Sequence, residues 1–361
     1  MATESPLEER TILVVGATGK QGHALIRSLI FSPPVNKNSQ SKTSIPIKWR
    51  VLALSRNSSG PAAQSLLKEA DRHNAKDCIK LVEGDLDKPD TIRKIFTEEE
   101  KIWGVFVVLA YPGLGAPPSD MEVNQGKTVA DLSLEFGVSL FMYSSAITVG
   151  AKVDDFKDHS RGQKRDLERY IETVLFPKGL PWVIIRPGFF FENLEGVFGS
   201  IAATLYRDGL KNDTTIPMIG SDDIGRLAAA IFNNHKPYLY KFFNVTSGPV
   251  TMDEVIEAHQ RATGKPMPAV PSAVGWLVRK MNPGVQSLMQ ETEINHDARI
   301  NGLLPTFDQE VALARSVCHL QTYEEWKGTK LKEEGATKQE ASDAARGWNK
   351  LSLVKLLTGQ S

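Results

Sequence analysis

Residues 12–22 read Ile12-Leu13-Val14-Val15-Gly16-Ala17-Thr18-Gly19-Lys20-Gln21-Gly22. Four consecutive apolar residues suit a strand covered on both faces. Gly16 allows a tight turn directly after it, and Gly19 lets backbone amides approach a pyrophosphate with no side chain in the way. Gly22 falls in the first turn of the following helix, where a missing side chain permits close packing on the strand. Residues 23–30 continue as an amphipathic helix, whose start offers unpaired N–H groups and a positive dipole end to an anion. Glycines at this spacing also occur in turns that hold no ligand. Their place between a buried strand and a helix favours a bound dinucleotide, with Gly16, Thr18, Gly19, Lys20, Gln21 and Gly22 as candidate contacts. The stretch is not a P-loop, because Lys20 is not part of a Gly-Lys-Ser/Thr ending.

The 361-residue chain is long enough for one large domain, or one large and one small. Lys plus Arg equal Asp plus Glu at 43 each, so the global basic field of a nucleic-acid or anionic-membrane binder is missing. Cys78 and Cys318 supply neither a metal-ligand spacing nor a disulfide framework, and no metal is expected. The polar stretch 1–10 does not read as a signal peptide, and no apolar run reaches membrane length. Asn57, Asn212 and Asn244 stand in glycosylation triplets that an intracellular chain leaves idle. A cytoplasmic protein is the expectation, with a nuclear share if it acts as a regulator.

Strands and helices alternate through the first half. Residues 49–54 form a second strand ending in Ser55-Arg56-Asn57, after a polar, Pro-containing loop over 32–46. Residues 80–83 form a third, ending in Gly84-Asp85-Leu86. A fourth covers 104–110, a fifth covers 139–143 and closes on Ser144-Ser145, and a sixth covers 181–186. Helices are predicted over 62–70, 122–136 and 160–173. Right-handed crossovers then bring all the strand ends to one rim, where ligands bind. Past Pro187 the regularity weakens. Helices are expected over 193–206 and 221–232, with a short strand over 242–245. Thr251 and Glu254 form a capping box for a helix that Gly264 stops. The predicted fold class is α/β: a doubly wound parallel Rossmann sheet with a smaller α/β substrate-side lobe. The Rossmann lobe is expected over 10–188, with returning elements interleaved after 187. The substrate-side lobe follows over 189–325, and a helical or flexible tail over 326–361.

NAD-selective sites place a carboxylate at the end of the second strand for the ribose hydroxyls. Here Ser55-Arg56-Asn57 holds no acid. Arg56 can fork onto a 2′-phosphate and lie against the adenine, which favours NADP(H) over NAD(H). The plain alternative is a surface arginine in a polar loop. Asp85 can accept a bond from the adenine amine or cap the helix after Pro89, and Leu86 is then a backbone or apolar contact. Ala110 and Tyr111 end the fourth strand and fit passage beneath the cofactor ribose.

Hydride transfer needs an acceptor beside the nicotinamide and a proton donor within reach of the developing oxyanion. Ser144 points into the ligand rim. Lys164 opens a helical pattern, one turn before Glu168 with which it can pair. Its ammonium can bond the ribose hydroxyls and favour an anionic transition state; the alternative is an ordinary surface Lys–Glu pair. A tyrosine one turn before the lysine would be the natural donor, but that position is Ser160. His159 and Tyr111 are the candidate replacements. The parity of Tyr143 relative to Ser144 turns it away from the site.

Taken together, Gly16-Ala17-Thr18-Gly19-Lys20-Gln21-Gly22, Ser55-Arg56-Asn57, Gly84-Asp85-Leu86, Tyr143-Ser144-Ser145, Lys164 with Glu168, residues 186–193 and Asp223-Ile224-Gly225 resemble the NmrA-like family of atypical short-chain dehydrogenases/reductases. These pieces span roughly residues 10–265. The resemblance implies an NADP-binding Rossmann lobe and a small lobe forming a cleft, with Arg56 on the 2′-phosphate and Lys164 in the active site. It places Pro187, Gly188 and Phe189 at the nicotinamide end, and Phe190, Phe191 and Asn193 on the substrate side. Three consecutive phenylalanines cannot all face one way, so at least one is core. Asp223 and Gly225 are expected to fix a helix returning to the main sheet. Relatives include isoflavone- and quinone-type reductases, and regulators that bind NADP without turnover and report redox state to a protein partner. If this chain is a reductase, cleft-facing phenylalanines favour a small, flat, apolar carbonyl, quinone or imine acceptor. Either a small-molecule substrate or such a partner is therefore expected, with oligomeric state open.

Overall fold

A computed structural model describes residues 8–31, 47–99, 101–110, 120–150 and 160–336. The strands in chain order are β1 Glu8–Val15, β2 Ile47–Ser55, β3 Ile79–Glu83, β4 Ile102–Val108, β5 Leu140–Ser144, β6 Trp182–Pro187, β7 Phe189–Phe190, β8 Ile216–Ile219, β9 Lys241–Val245 and β10 Gly248–Val250. Seven form one parallel sheet in the order β3-β2-β1-β4-β5-β6-β9. The order reverses between β1 and β4, and such a reversal opens a ligand crevice at the carboxyl ends of the strands.

The period-two alternation of a strand sends neighbouring side chains to opposite faces, and here both faces are covered. Ile12 and Val14 pack with Leu25 and Ile26 of α1 (Lys20–Ile26), and with Leu66 of α2 (Pro61–Arg72). Leu13 and Val15 pack instead with Ile92 of α3 (Pro89–Glu98), Val129 of α4 (Met121–Glu135) and Leu167 of α5 (Ser160–Tyr170). Each fully buried aliphatic side chain of this kind contributes roughly 1.5–3 kcal/mol. Beyond Ile26 the chain continues as a π-helical turn, Arg27–Phe31, so the first helix is α-helical over a shorter span than its sequence pattern suggested.

The remaining strands make a second sheet, β10-β8-β7. Around it stand α6 (Gly196–Gly209), α8 (Met252–Thr263), α9 (Ser272–Met281) and α10 (Pro283–Ile300). Thr251 and Glu254 make the expected reciprocal cap on α8, and Gly264 ends it in the left-handed region at φ 71°. Two helices from the second half return to the main sheet. One is α7 (Ser221–Asn233), which crosses α1 where Gly225 meets the backbone of Ala24. The other is α11 (Phe307–Val317), whose Ala314 joins the core beside Val245 and Ile185.

The structure sharpens two sequence expectations. The short apolar run read as a strand of the second half, β9, is the seventh strand of the main sheet, paired parallel to β6 from Val183↔Lys241 to Pro187↔Val245. And the stretch from residue 326, read as helical or flexible, is helical over its described part: α12 (Tyr323–Ala336) packs with Trp326 1 % exposed, inside the core of the second lobe. A Lys/Glu-rich surface hides how strongly one tryptophan anchors a helix. Among the described residues no helix is long and apolar enough to cross a membrane.

Candidate functional site

The glycine turn sits at the order reversal. Gly16 adopts φ +80°, and a Cβ there would lie 2.6 Å from the Val108 carbonyl oxygen at the end of β4. A Cβ on Gly22 would lie 2.3 Å from the Gly16 oxygen. Gly19 N donates to that same oxygen at 2.9 Å, closing the turn. No other residue type fits at Gly16 or Gly22 without moving backbone, and the result is a shallow cradle of main chain at a helix start.

Beside it opens a cavity of about 590 Å³, walled by Gly16, Thr18 and Gly19, by the loop Ser55-Arg56-Asn57, by Asp85 and Leu86, and by Ala110. Glu122 and Gln125 of α4 and Gln163 of α5 complete the wall. The loop after β2 is built without help from its arginine. Ser55 Oγ donates to Asn57 O at 2.9 Å, Asn57 N donates to Ser55 Oγ at 3.2 Å, and Ser58 donates to Glu83 through its amide and its hydroxyl at 3.2 and 2.9 Å. The two bonds from Ser58 hold the Glu83 carboxyl below the usual carboxylate range. Arg56 itself is exposed at the cavity rim and, among the described residues, makes no bond. Asp85 is engaged locally: its Oδ1 accepts from Asp87 N at 3.2 Å, and Lys88 stands 3.8 Å away. Of the two roles open for Asp85, the turn before α3 has the visible bonds, although its side chain still borders the cavity.

Lys20, Gln21 and Gly22 follow the turn on α1. Ser144 Oγ donates to Gln21 Oε1 at 2.6 Å, so the end of β5 is tied to the start of that helix. Tyr143 points the other way, into the core beneath α4 and α5. Burial, then the charges of Glu122 and Glu168, push its phenol well above the ordinary tyrosine range.

Lys164 does not pair with Glu168. Its Nζ donates to Glu122 Oε1, across from α5 to the first turn of α4. Glu168 is held by two guanidiniums instead: Arg165 one turn away, and Arg186 of β6, whose Nη2 donates at 2.8 Å. Arg186 forks onto both Glu168 oxygens and Arg165 adds a bond to Oε2, which satisfies a buried carboxylate more fully than one ammonium and leaves Lys164 for Glu122. Glu122 is 4 % exposed, and its second oxygen, Oε2, is buried with no hydrogen-bond partner among the described residues.

Pro187 ends β6, and Gly188 N donates to Val245 O at 3.1 Å. Phe189 packs on Tyr206 with ring centroids 4.9 Å apart, whereas Phe190 lies against the core of the main sheet. Phe191 was expected on the substrate side. It is a core residue, 0 % exposed and packed 5.3 and 5.4 Å from Tyr323 and Trp326. The Phe191–Leu194 3₁₀ turn rotates the third ring inward. Asn193 is exposed on the same turn, and none of residues 187–193 borders the 590 Å³ cavity. Tyr111 and His159 lie outside the described residues. Glu122, Gln125 and Gln163 were missed by sequence reasoning. In sequence Glu122 is only one more acid in a first helical turn, where any carboxylate complements the dipole.

The model of the NmrA-like family matches residues 8–337. The chain belongs to that family. The match runs well past the stretch whose motifs carry the resemblance and takes in the helices of the second lobe. Among curated relatives, the NmrA-like family domain-containing oxidoreductase FrzB of Cladobotryum sp is 24 % identical over 294 residues, covering 73 % of this chain and 77 % of that one. Among solved structures, NmrA in complex with NAD, described as a negative transcriptional regulator, matches with a TM-score of 0.61 at 18 % identity, covering 93 % and 98 % of the two chains. The NADPH complex of the quinone oxidoreductase QOR2 of Escherichia coli matches at 0.58 and 18 % identity, covering 89 % and 99 %. Like other NmrA-like chains, this one combines a Rossmann sheet with a smaller lobe.

Proposed function

We propose that this NmrA-like chain is an NADPH-dependent reductase that delivers hydride to a small, flat, apolar carbonyl, quinone or imine acceptor. The observation that carries the reading is the glycine-cradled cavity of about 590 Å³ with the uncommitted Arg56 guanidinium at its rim. The cradle at Gly16 and Gly22, where a Cβ would collide with main chain, fits a diphosphate, and Arg56 supplies the positive charge that a 2′-phosphate requires. The bound nicotinamide supplies the hydride; the protein supplies placement and electrostatics. The Lys164 ammonium favours the negative charge that develops on the acceptor oxygen or nitrogen. The names of FrzB and QOR2 support an oxidoreductase.

A second reading is a nucleotide-sensing regulator, favoured by Ser160 in place of a tyrosine and by the likeness to NmrA. Calorimetry with NADPH and NADH, followed by NADPH oxidation across quinones, enals and cyclic imines, separates them. Turnover with at least one acceptor class is expected. Tight NADPH binding with no turnover across all three would favour the sensor, and no binding of either nucleotide would sink both.

A further inference from the structure

Glu122 and Lys164 form an unusual pair. Both are largely withdrawn from water, with side chains 4 % and 12 % exposed. Breaking a buried pair by removing one partner is costly, because the other charge is left uncompensated. Yet the pair is incomplete as it stands, since Glu122 Oε2 is buried without a donor among the described residues. A buried acceptor left unpaired loses its hydration for nothing in return, which points to a donor that arrives from outside the chain. Glu122 borders the cavity, and a dinucleotide carries donors of the right kind in its ribose hydroxyls. The position along the sheet selects which ribose. Arg56 follows β2, whereas Glu122 and Lys164 sit on the helices after β4 and β5, on the other side of β1.

Resting on the NADPH reading above, we propose that Glu122 and Lys164 act as one unit that positions the nicotinamide half of the cofactor. Glu122, which borders the cavity, holds the Lys164 ammonium through Oε1, and Oε2 accepts a hydrogen bond from a hydroxyl of the nicotinamide ribose. Glu168 cannot take this part, since Arg165 and Arg186 occupy it.

The test is calorimetric and needs no turnover. NADPH is compared with adenosine 2′,5′-bisphosphate, which keeps the adenosine end but lacks the nicotinamide ribose. Glu122→Gln and Lys164→Met should each weaken NADPH about tenfold or more and leave the bisphosphate unchanged, as befits a lost charge-assisted bond. The double variant should bind NADPH about as weakly as either single one, because removing one member already disables the other. Unaltered bisphosphate binding also reports that each variant is folded. Equal weakening of both probes, no weakening of NADPH, or additive losses of about a hundredfold in the double variant overturns the proposal. If the parent protein binds neither probe, the cofactor reading falls and this proposal with it. Binding without turnover removes only the reductase.

Discussion

Ser144 and Gln21 are joined by a 2.6 Å hydrogen bond that links the fifth strand to the helix following the glycine turn. Ser144 is almost fully buried, at 1 % exposure, so the bond is shielded from competing water. It couples the phosphate end of the cleft to the strand that leads toward Lys164. Ser144→Ala and Gln21→Ala should each lower stability by about 1 kcal/mol in urea unfolding. The double variant should lose clearly less than the sum, because both substitutions delete one shared bond. Fully additive losses would show that the bond contributes nothing.

Arg56 stands at the rim with no partner among the described residues, so its removal disturbs no internal contact. Arg56→Ala should weaken NADPH by about one to two orders of magnitude, in line with the loss of charge-assisted bonds. NADH affinity should stay within about twofold of the parent, an estimate that rests on the 2′-phosphate being the arginine's only target. Parallel losses for both nucleotides would remove the phosphate role.

Lys164→Met should lower kcat at saturating NADPH by about a hundredfold or more, the range of a lost electrostatic or proton-transferring group. Circular dichroism and bisphosphate binding should match the parent. Unchanged turnover would exclude the lysine from the chemistry.

Phe191→Ala distinguishes core from cleft. As a fully buried ring between Tyr323 and Trp326, Phe191 should cost roughly 3–5 kcal/mol of stability when truncated. The ranking of acceptors by kcat/KM should not change. A shift in acceptor preference with intact stability would return the ring to the substrate side.

Asp223 gives a pH signature. Burial raises its carboxyl to about 6, against the pull of Arg226 and a bond from Gln321 N. The unfolded chain therefore releases this proton at lower pH than the folded one does. Stability is fully present below the ordinary aspartate value near 4 and declines as pH rises toward 6, by up to about 2–3 kcal/mol from this one group. Unfolding midpoints at pH 4.5 and 7 should differ less in Asp223→Asn than in the parent; an identical pH dependence would assign the slope elsewhere.

The first half of the fold was legible because its strands are short apolar runs that end in turn residues, and because glycine spacing marks the one turn that must hold its backbone open. Cavity-wall residues such as Arg56 and Asp85 follow from strand ends alone. What stayed hidden depends on neighbours distant in sequence. The sequence pairs Lys164 with Glu168 by helical period, but Arg186, brought in by β6, claims Glu168 and frees the lysine for Glu122. Likewise, nothing local tells Phe191 from Phe190; the 3₁₀ turn makes the difference. The seventh strand was visible as a strand, but its place beside β6 is a long-range pairing that no local pattern announces.

The return of α7, β9 and α11 to the main sheet, between excursions into the smaller one, has an evolutionary corollary. Neither sheet is one continuous piece of polypeptide, so no single crossover between related genes can exchange the smaller lobe without part of the main sheet. Replacing residues one at a time leaves this weave intact, whereas exchanging a whole segment disturbs both sheets.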